Sequence, residues 1–175
     1  MPQATTDLRM RRIRFWLVLF ILGLLLSGAT AFPIVWGTDQ LARWVGAGPR
    51  DVPSRYDGLA AWLVTVRNGV RDMWSRYPWI AYGTDWLGYG IVVLAVLFAG
   101  VLRDPYRNVW IIEFGLIACV GVFPIALICG ALRGIPWYWR LVDCAFGAAG
   151  FVPLWIVRRE ALALGRADTE GGRAG

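Results

Sequence analysis

The sequence predicts an all-α integral membrane protein: a four-helix bundle with a short extracytoplasmic loop that contains an amphipathic helix. Three observations predict it. Apolar residues make up 58% of the 175 residues and charged ones 17%, against about 25% charged in an ordinary soluble domain. Four apolar runs are long enough to cross a hydrocarbon core, which takes about 17–25 helical residues. Arginines crowd the segments between those runs, as headgroup-level charges do.

In chain order, residues 1–14 are a basic N-terminus carrying Arg9, Arg11, Arg12 and Arg14. Residues 15–34 are the first span, within an uncharged run from Phe15 to Thr38. Ala29-Thr30-Ala31 also fits a small-residue cleavage pattern, so a signal peptide is the competing reading; Phe32, Ile34, Val35 and Trp36 continue the apolar run past that point and favour retention. Residues 35–85 form the extracytoplasmic loop. Within it Leu59, Trp62, Leu63, Val66, Val70, Met73 and Tyr77 recur at helical spacing, with Arg67, Asn68, Arg71 and Asp72 between them. This predicts an amphipathic helix over about 57–77, capped by Asp57 and stopped by Pro78. Fifty-one residues are few for an independent core, so the helix is expected to lie on the membrane face or against the outer ends of the spans. The alternative is a docking face for a partner.

Residues 86–102 are the second span, closed by Arg103, Asp104 and Pro105, and 103–108 a cytoplasmic loop. Residues 109–132 are the third span, with one acid, Glu113, and an expected kink at Pro124, which cannot donate to the carbonyl of Val120. Residues 133–140 are an extracytoplasmic hairpin and 141–157 the fourth span, which lengthens if it begins at Pro136, a favoured first helical position. Residues 158–175 are a cytoplasmic tail, helical at first and disordered at its Gly-, Asp- and Arg-rich end. Ten arginines fall on the side of the termini and eight on the other, six of them in residues 35–85, where Asp39, Asp51, Asp57, Asp72 and Asp85 nearly balance those six. Both termini are therefore assigned to the cytoplasm.

The residue inventory excludes much chemistry. There is no His and no Lys, so all 18 cations are Arg. His-based triads, His-ligated haem and lysine Schiff bases are ruled out. Cys119, Cys129 and Cys144 lie in apolar runs without metal spacing. No cofactor or metal site is expected, the inventory singles out no catalytic residue, and the basic balance points to lipid headgroups rather than nucleic acid.

Four features merit attention. Trp36-Gly37-Thr38-Asp39-Gln40-Leu41 and Tyr82-Gly83-Thr84-Asp85-Trp86-Leu87 repeat one pattern. Turn and cap residues explain it; as outer-surface carboxylates, Asp39 and Asp85 are candidates for cation binding or acid–base work. Glu113 and Asp143 are ionisable groups inside spans, where such groups often mark a pathway. They fall near opposite faces, and ion pairing is the alternative: Asp143 with Arg140, Glu113 with Arg107 or an arginine ending the fourth span. In the outer hairpin, Arg133, Trp137, Trp139 and Arg140 are candidates for binding a lipid phosphate or another anion; ordinary aromatic anchoring explains the same residues and is the favoured reading. Gly115, Cys119, Val122, Ala126 and Gly130 line one stripe of the third span, and Cys144, Gly147, Ala148 and Gly150 lighten the fourth, which predicts close helix contacts within the bundle or with a neighbouring subunit.

The strings Thr30-Ala31-Phe32-Pro33, Ala81-Tyr82-Gly83-Thr84-Asp85-Trp86-Leu87 and Ile135-Pro136-Trp137-Tyr138-Trp139-Arg140-Leu141-Val142-Asp143-Cys144 together resemble a family of uncharacterised bacterial multipass inner-membrane proteins. The resemblance covers most of residues 13–157, implies a bacterial inner membrane, and brings no activity or ligand. The expected function is a non-enzymatic accessory or scaffold subunit, in contact with membrane lipid and with membrane-protein partners or further copies of itself. The alternatives are a binder or enzyme for a lipid-linked anion at the outer interface, and a small proton- or ion-coupled transporter.

Overall fold

The computed structural model describes the backbone of residues 3–171 and the side chains of 6–165. Every regular element there is helical. The elements are α1 (Gln3–Ala31), α2 (Ile34–Trp44), a 3-10 turn (Pro53–Arg55), α3 (Gly58–Arg76), α4 (Pro78–Val101), α5 (Val109–Pro124), a π-helical stretch (Ile125–Cys129), α6 (Gly130–Leu132) and α7 (Trp137–Gly171). Four stretches are long and apolar enough to cross a membrane: Thr6–Ala31, Pro78–Val101, Val109–Leu132 and Trp137–Gly165. The chain divides into two compact units. One takes the chain up to Gly23 and again from Ala95; the other is Leu24–Leu94.

The first unit is built on α5 against α7, and its small residues set the spacing. A Cβ on Gly147 would stand 2.8 Å from the carbonyl oxygen of Cys119, and one on Gly150 2.9 Å from the Cys119 sulfur. On the facing helix, a Cβ on Gly115 would meet Phe98 at 2.6 Å and Leu154 at 2.7 Å. The stripe on α5 is thus consumed within the chain, bringing backbones close where lipid supplies no hydrophobic drive. Ile13 and Leu17 of α1 are fully buried in this unit, and Phe20 meets Phe98 edge to face at 4.8 Å.

Pro124 does not break its helix. The missing donor is absorbed by the π-helical stretch that follows, in which Gly130 N–H reaches back five residues to the carbonyl of Ile125. Gly134, at φ +71°, then ends the rod: its N–H bonds Ala131 O at 3.0 Å and Ile135 N–H bonds Gly130 O at 2.9 Å. That is a Schellman closure, which needs a left-handed residue. The tail expected at 158–175 is helical through Gly171 as a direct extension of α7; residues 172–175 of the expected disordered end lie outside the described residues.

The second unit departs from expectation. Pro33 ends α1, and a separate helix α2 occupies Ile34–Trp44. Gly46, at φ +77°, closes it with the same two bonds, Gly46 N–H to Arg43 O and Ala47 N–H to Ala42 O. Both repeated segments are therefore helical, not turns and caps. Gly37 and Gly83 lie inside α2 and α4, and Thr38 and Thr84 hydroxyls donate back to carbonyls one turn earlier, Ile34 and Ala81. Asp57 occupies the residue before α3 without a side-chain capping bond. Helix α3 packs on α2 around Ala42, Ala47 and Val64, with Val45 and Tyr56 at the edge. Within this unit α1 and α4 touch backbone to backbone, where a Cβ on Gly88 would sit 2.9 Å from the carbonyl of Gly28.

Candidate functional site

In the first unit the polar chemistry collects where α1 begins and α7 runs out of apolar sequence. Arg9 and Arg12 lie three residues apart on one face of α1, and their Nη1 atoms reach the two carboxylate oxygens of Glu160 at 3.0 Å each. Two residues earlier on α7, and so on another face, Arg158 meets Glu113 of α5, Nη2 to Oε1 at 2.7 Å and Nε at 2.9 Å. Helix α7 is thereby tied to α1 and to α5 at one level by guanidinium forks that suit carboxylates. These groups keep some exposure, so each pair contributes modestly, on the order of 0.2–1 kcal/mol. Beside the Glu160 cluster lies a cavity of about 700 Å³ lined by Arg9, Arg12, Arg159 and Glu160, with Trp16 and Ile156 as apolar wall. A second cavity of about 310 Å³ shares Arg9, Arg12 and Glu160 and adds Leu8.

Glu113 thus has one of its expected partners, an arginine at the end of the fourth apolar run. Asp143 does not. Arg140 turns away from it and donates from Nη1 to the carbonyl of Leu127 at 3.1 Å. The cause is Gly130: with no side chain there, the aliphatic stem of Arg140 lies where a Cβ would come within 2.9 Å. Asp143 is half-buried and has no ion pair among the described residues. Since Glu113 meets residue 158, the fifteen residues from 143 to 158 put the two acids about 22 Å apart at 1.5 Å per residue. They form no dyad. In the outer hairpin Arg133 and Trp137 are exposed and Trp139 is half-buried, and Arg140 gives Nη1 to a main-chain carbonyl while its buried Nε has no partner among the described residues.

In the second unit Asp39 is paired, its Oδ2 receiving Arg71 Nη2 at 2.8 Å while Oδ1 is buried without a partner. Asp85 is half-buried on α4 and shares no partner with Asp39. The segment from Val45 to Asp57 is held by residues that the sequence reading set on the polar face of α3. Arg67 is 1% exposed. It donates to the carbonyls of Gly48 at 2.7 Å and Asp51 at 2.9 Å, Asn68 donates to the same Asp51 carbonyl at 3.1 Å, and Arg71 to that of Pro49 at 2.7 Å. Asp51 closes the segment on itself, accepting from Tyr56 Oη at 2.6 Å and from the Gly48 N–H at 2.7 Å. The Tyr56 hydroxyl, helped by the Gly48 amide, holds the Asp51 carboxyl below its usual 3.8. The same bond pushes the Tyr56 phenol above 10.0. This network is closed and structural. Its one sequence signal was register: position 67 stands one turn beyond Leu63 and Val64, on the buried face.

Among the described residues no group of three His, Cys, Asp or Glu side chains could hold a metal ion. Comparison with protein-family models, with curated proteins and with solved structures gives no match.

Proposed function

We propose that this chain is a multipass protein of the bacterial inner membrane, both termini cytoplasmic, that serves as a non-enzymatic accessory or scaffold subunit. The bacterial setting rests on the string resemblance, and the orientation on the arginine count. One observation carries the scaffold reading: the chain buries only 17–28% of the most apolar window of each span-length helix, while two of its span-end carboxylates, Glu113 and Glu160, are occupied by arginines. Wide apolar flanks are left for lipid and neighbouring subunits, and paired carboxylates are poorly placed to relay protons.

Burial of Ile13 and Leu17 and the Arg9 and Arg12 pairs support retention of the first span rather than its cleavage. The test is purification from native-level membranes in a mild detergent. A stoichiometric membrane-protein partner, or a stable homo-oligomer, is expected; a lone monomer overturns the scaffold reading. A fluorescent-protein fusion at the C-terminus should fluoresce, and a dark, exported fusion overturns the orientation.

A further inference from the structure

We propose that the cavity between the start of α1 and the end of α7 binds the phosphate headgroup of an anionic lipid, through Arg9, Arg12 and Arg159.

Charge, geometry and position each support it. The cavity brings three guanidiniums to one carboxylate. Glu160 cannot neutralise them, and a surplus of two positive charges stays in a concave site. Each guanidinium has five donors, and Glu160 takes one nitrogen from Arg9 and one from Arg12, which fixes the two heads side by side and leaves their other N–H groups available. Arg159 is exposed and has no carboxylate partner among the described residues. Guanidinium forks match phosphate oxygens in geometry, and a surplus of two is more than enough to neutralise the single charge of a phosphodiester headgroup.

The volume, about 700 Å³, lies within the ~300–1,000 Å³ usual for small-ligand sites. The wall supplies the lipid specificity. Trp16 and Ile156 line the same cavity, and Phe15, next to Trp16, opens the long uncharged run of the first span. The cavity therefore straddles the level at which headgroup gives way to acyl chain. Basic pockets between spans are a recurrent site for anionic headgroups.

The test is native mass spectrometry of the full chain in a mild detergent, titrated separately with phosphatidylglycerol, phosphatidylcholine and inorganic phosphate. One phosphatidylglycerol should remain bound under conditions that strip phosphatidylcholine, and millimolar phosphate should not displace it. Arg159→Gln should weaken that adduct about tenfold with the fold intact, because Arg159 lines the cavity and makes no ion pair among the described residues. Arg11→Gln, which removes the same charge from an exposed residue outside the cavity, should leave it unchanged. Equal loss in both variants overturns the site in favour of diffuse attraction. Equal retention of both lipids, or displacement by phosphate, overturns the anionic-lipid assignment. The proposal rests on the membrane reading, whose own failure would be recognised separately as a folded chain soluble without detergent.

Discussion

Gly147→Ala is the most direct probe of the α5–α7 contact. The added methyl would stand 2.8 Å from the Cys119 carbonyl oxygen, 3.1 Å from Val122 Cβ and 3.3 Å from Phe123. A carbon–oxygen contact settles at about 3.3–3.6 Å, so α7 must retreat by roughly 0.5–0.8 Å, and the nearest obstacle is backbone, which cannot rotate away. Overpacking of this kind costs about 1–3 kcal/mol. Replacing a helical glycine by alanine returns about 1 kcal/mol. Placing the backbone clash in the upper half of the range leaves a net loss of about 1–2 kcal/mol, which for a chain of this size lowers Tm by about 2–8 °C. Gly121→Ala on α5 is the control, since nothing lies within 4 Å of its Cβ. It should hold Tm level or raise it by up to about 4 °C. Intrinsic tryptophan fluorescence, with 11 reporters, follows both melts in one detergent. If Gly147→Ala melts as high as Gly121→Ala, the contact is not tight and the account of the small-residue stripe fails.

Other outcomes follow from the same coordinates. Arg67→Met should destabilise the second unit by about 2–4 kcal/mol and expose residues 45–57 to limited proteolysis, because two partly buried carbonyls lose a charged donor; Arg67→Lys should rescue little, since an ammonium lacks the fork that spans Gly48 and Asp51. The depressed Asp51 carboxyl contributes stability that is present above its unfolded value near 3.8 and is lost as pH falls through the lower folded value. Pepsin cleavage of that segment, taken relative to Asp51→Asn, should therefore rise as pH drops below 3.8 and converge there with the variant; a constant ratio would show that Asp51 is uninvolved. Intact-mass measurement of protein from membranes should include residues 6–31, and a mass beginning at Phe32 would show that the first span is removed.

Fold class was legible because hydrocarbon imposes a coarse rule: uncharged runs of about 20 residues must pair their amides internally, and four such runs locate the four apolar helices. Finer structure was not, because local signals have more than one solution. Gly-Thr-Asp after a proline reads as a turn, yet Pro33 and Pro78 start helices that carry the pattern through in helical form. Arg140 and Asp143 have the right spacing to pair, but Gly130, ten residues away in sequence, offers the arginine a better path. Arg67 reads as a polar-face residue until the Gly48 and Asp51 carbonyls turn out to lie on its side of α3. The Glu160 cluster was hidden for a simpler reason, that its partners are 148 and 151 residues apart. Only Glu113 among the candidate residues carried a partner assignment that survived, because both it and Arg158 sit at the same end of their apolar runs.

The contact between Gly28 and Gly88 joins segments made at different times. Gly28 leaves the ribosome 60 residues ahead of its counterpart, an interval of about 3–12 s at roughly 5–20 residues per second. Throughout that wait the glycine flank of the newborn first helix is uncovered and can pair with whatever neighbour is near. Overproduction shortens the distance to another nascent copy, so the rate of expression, more than the choice of detergent, should govern how much protein is recovered correctly assembled.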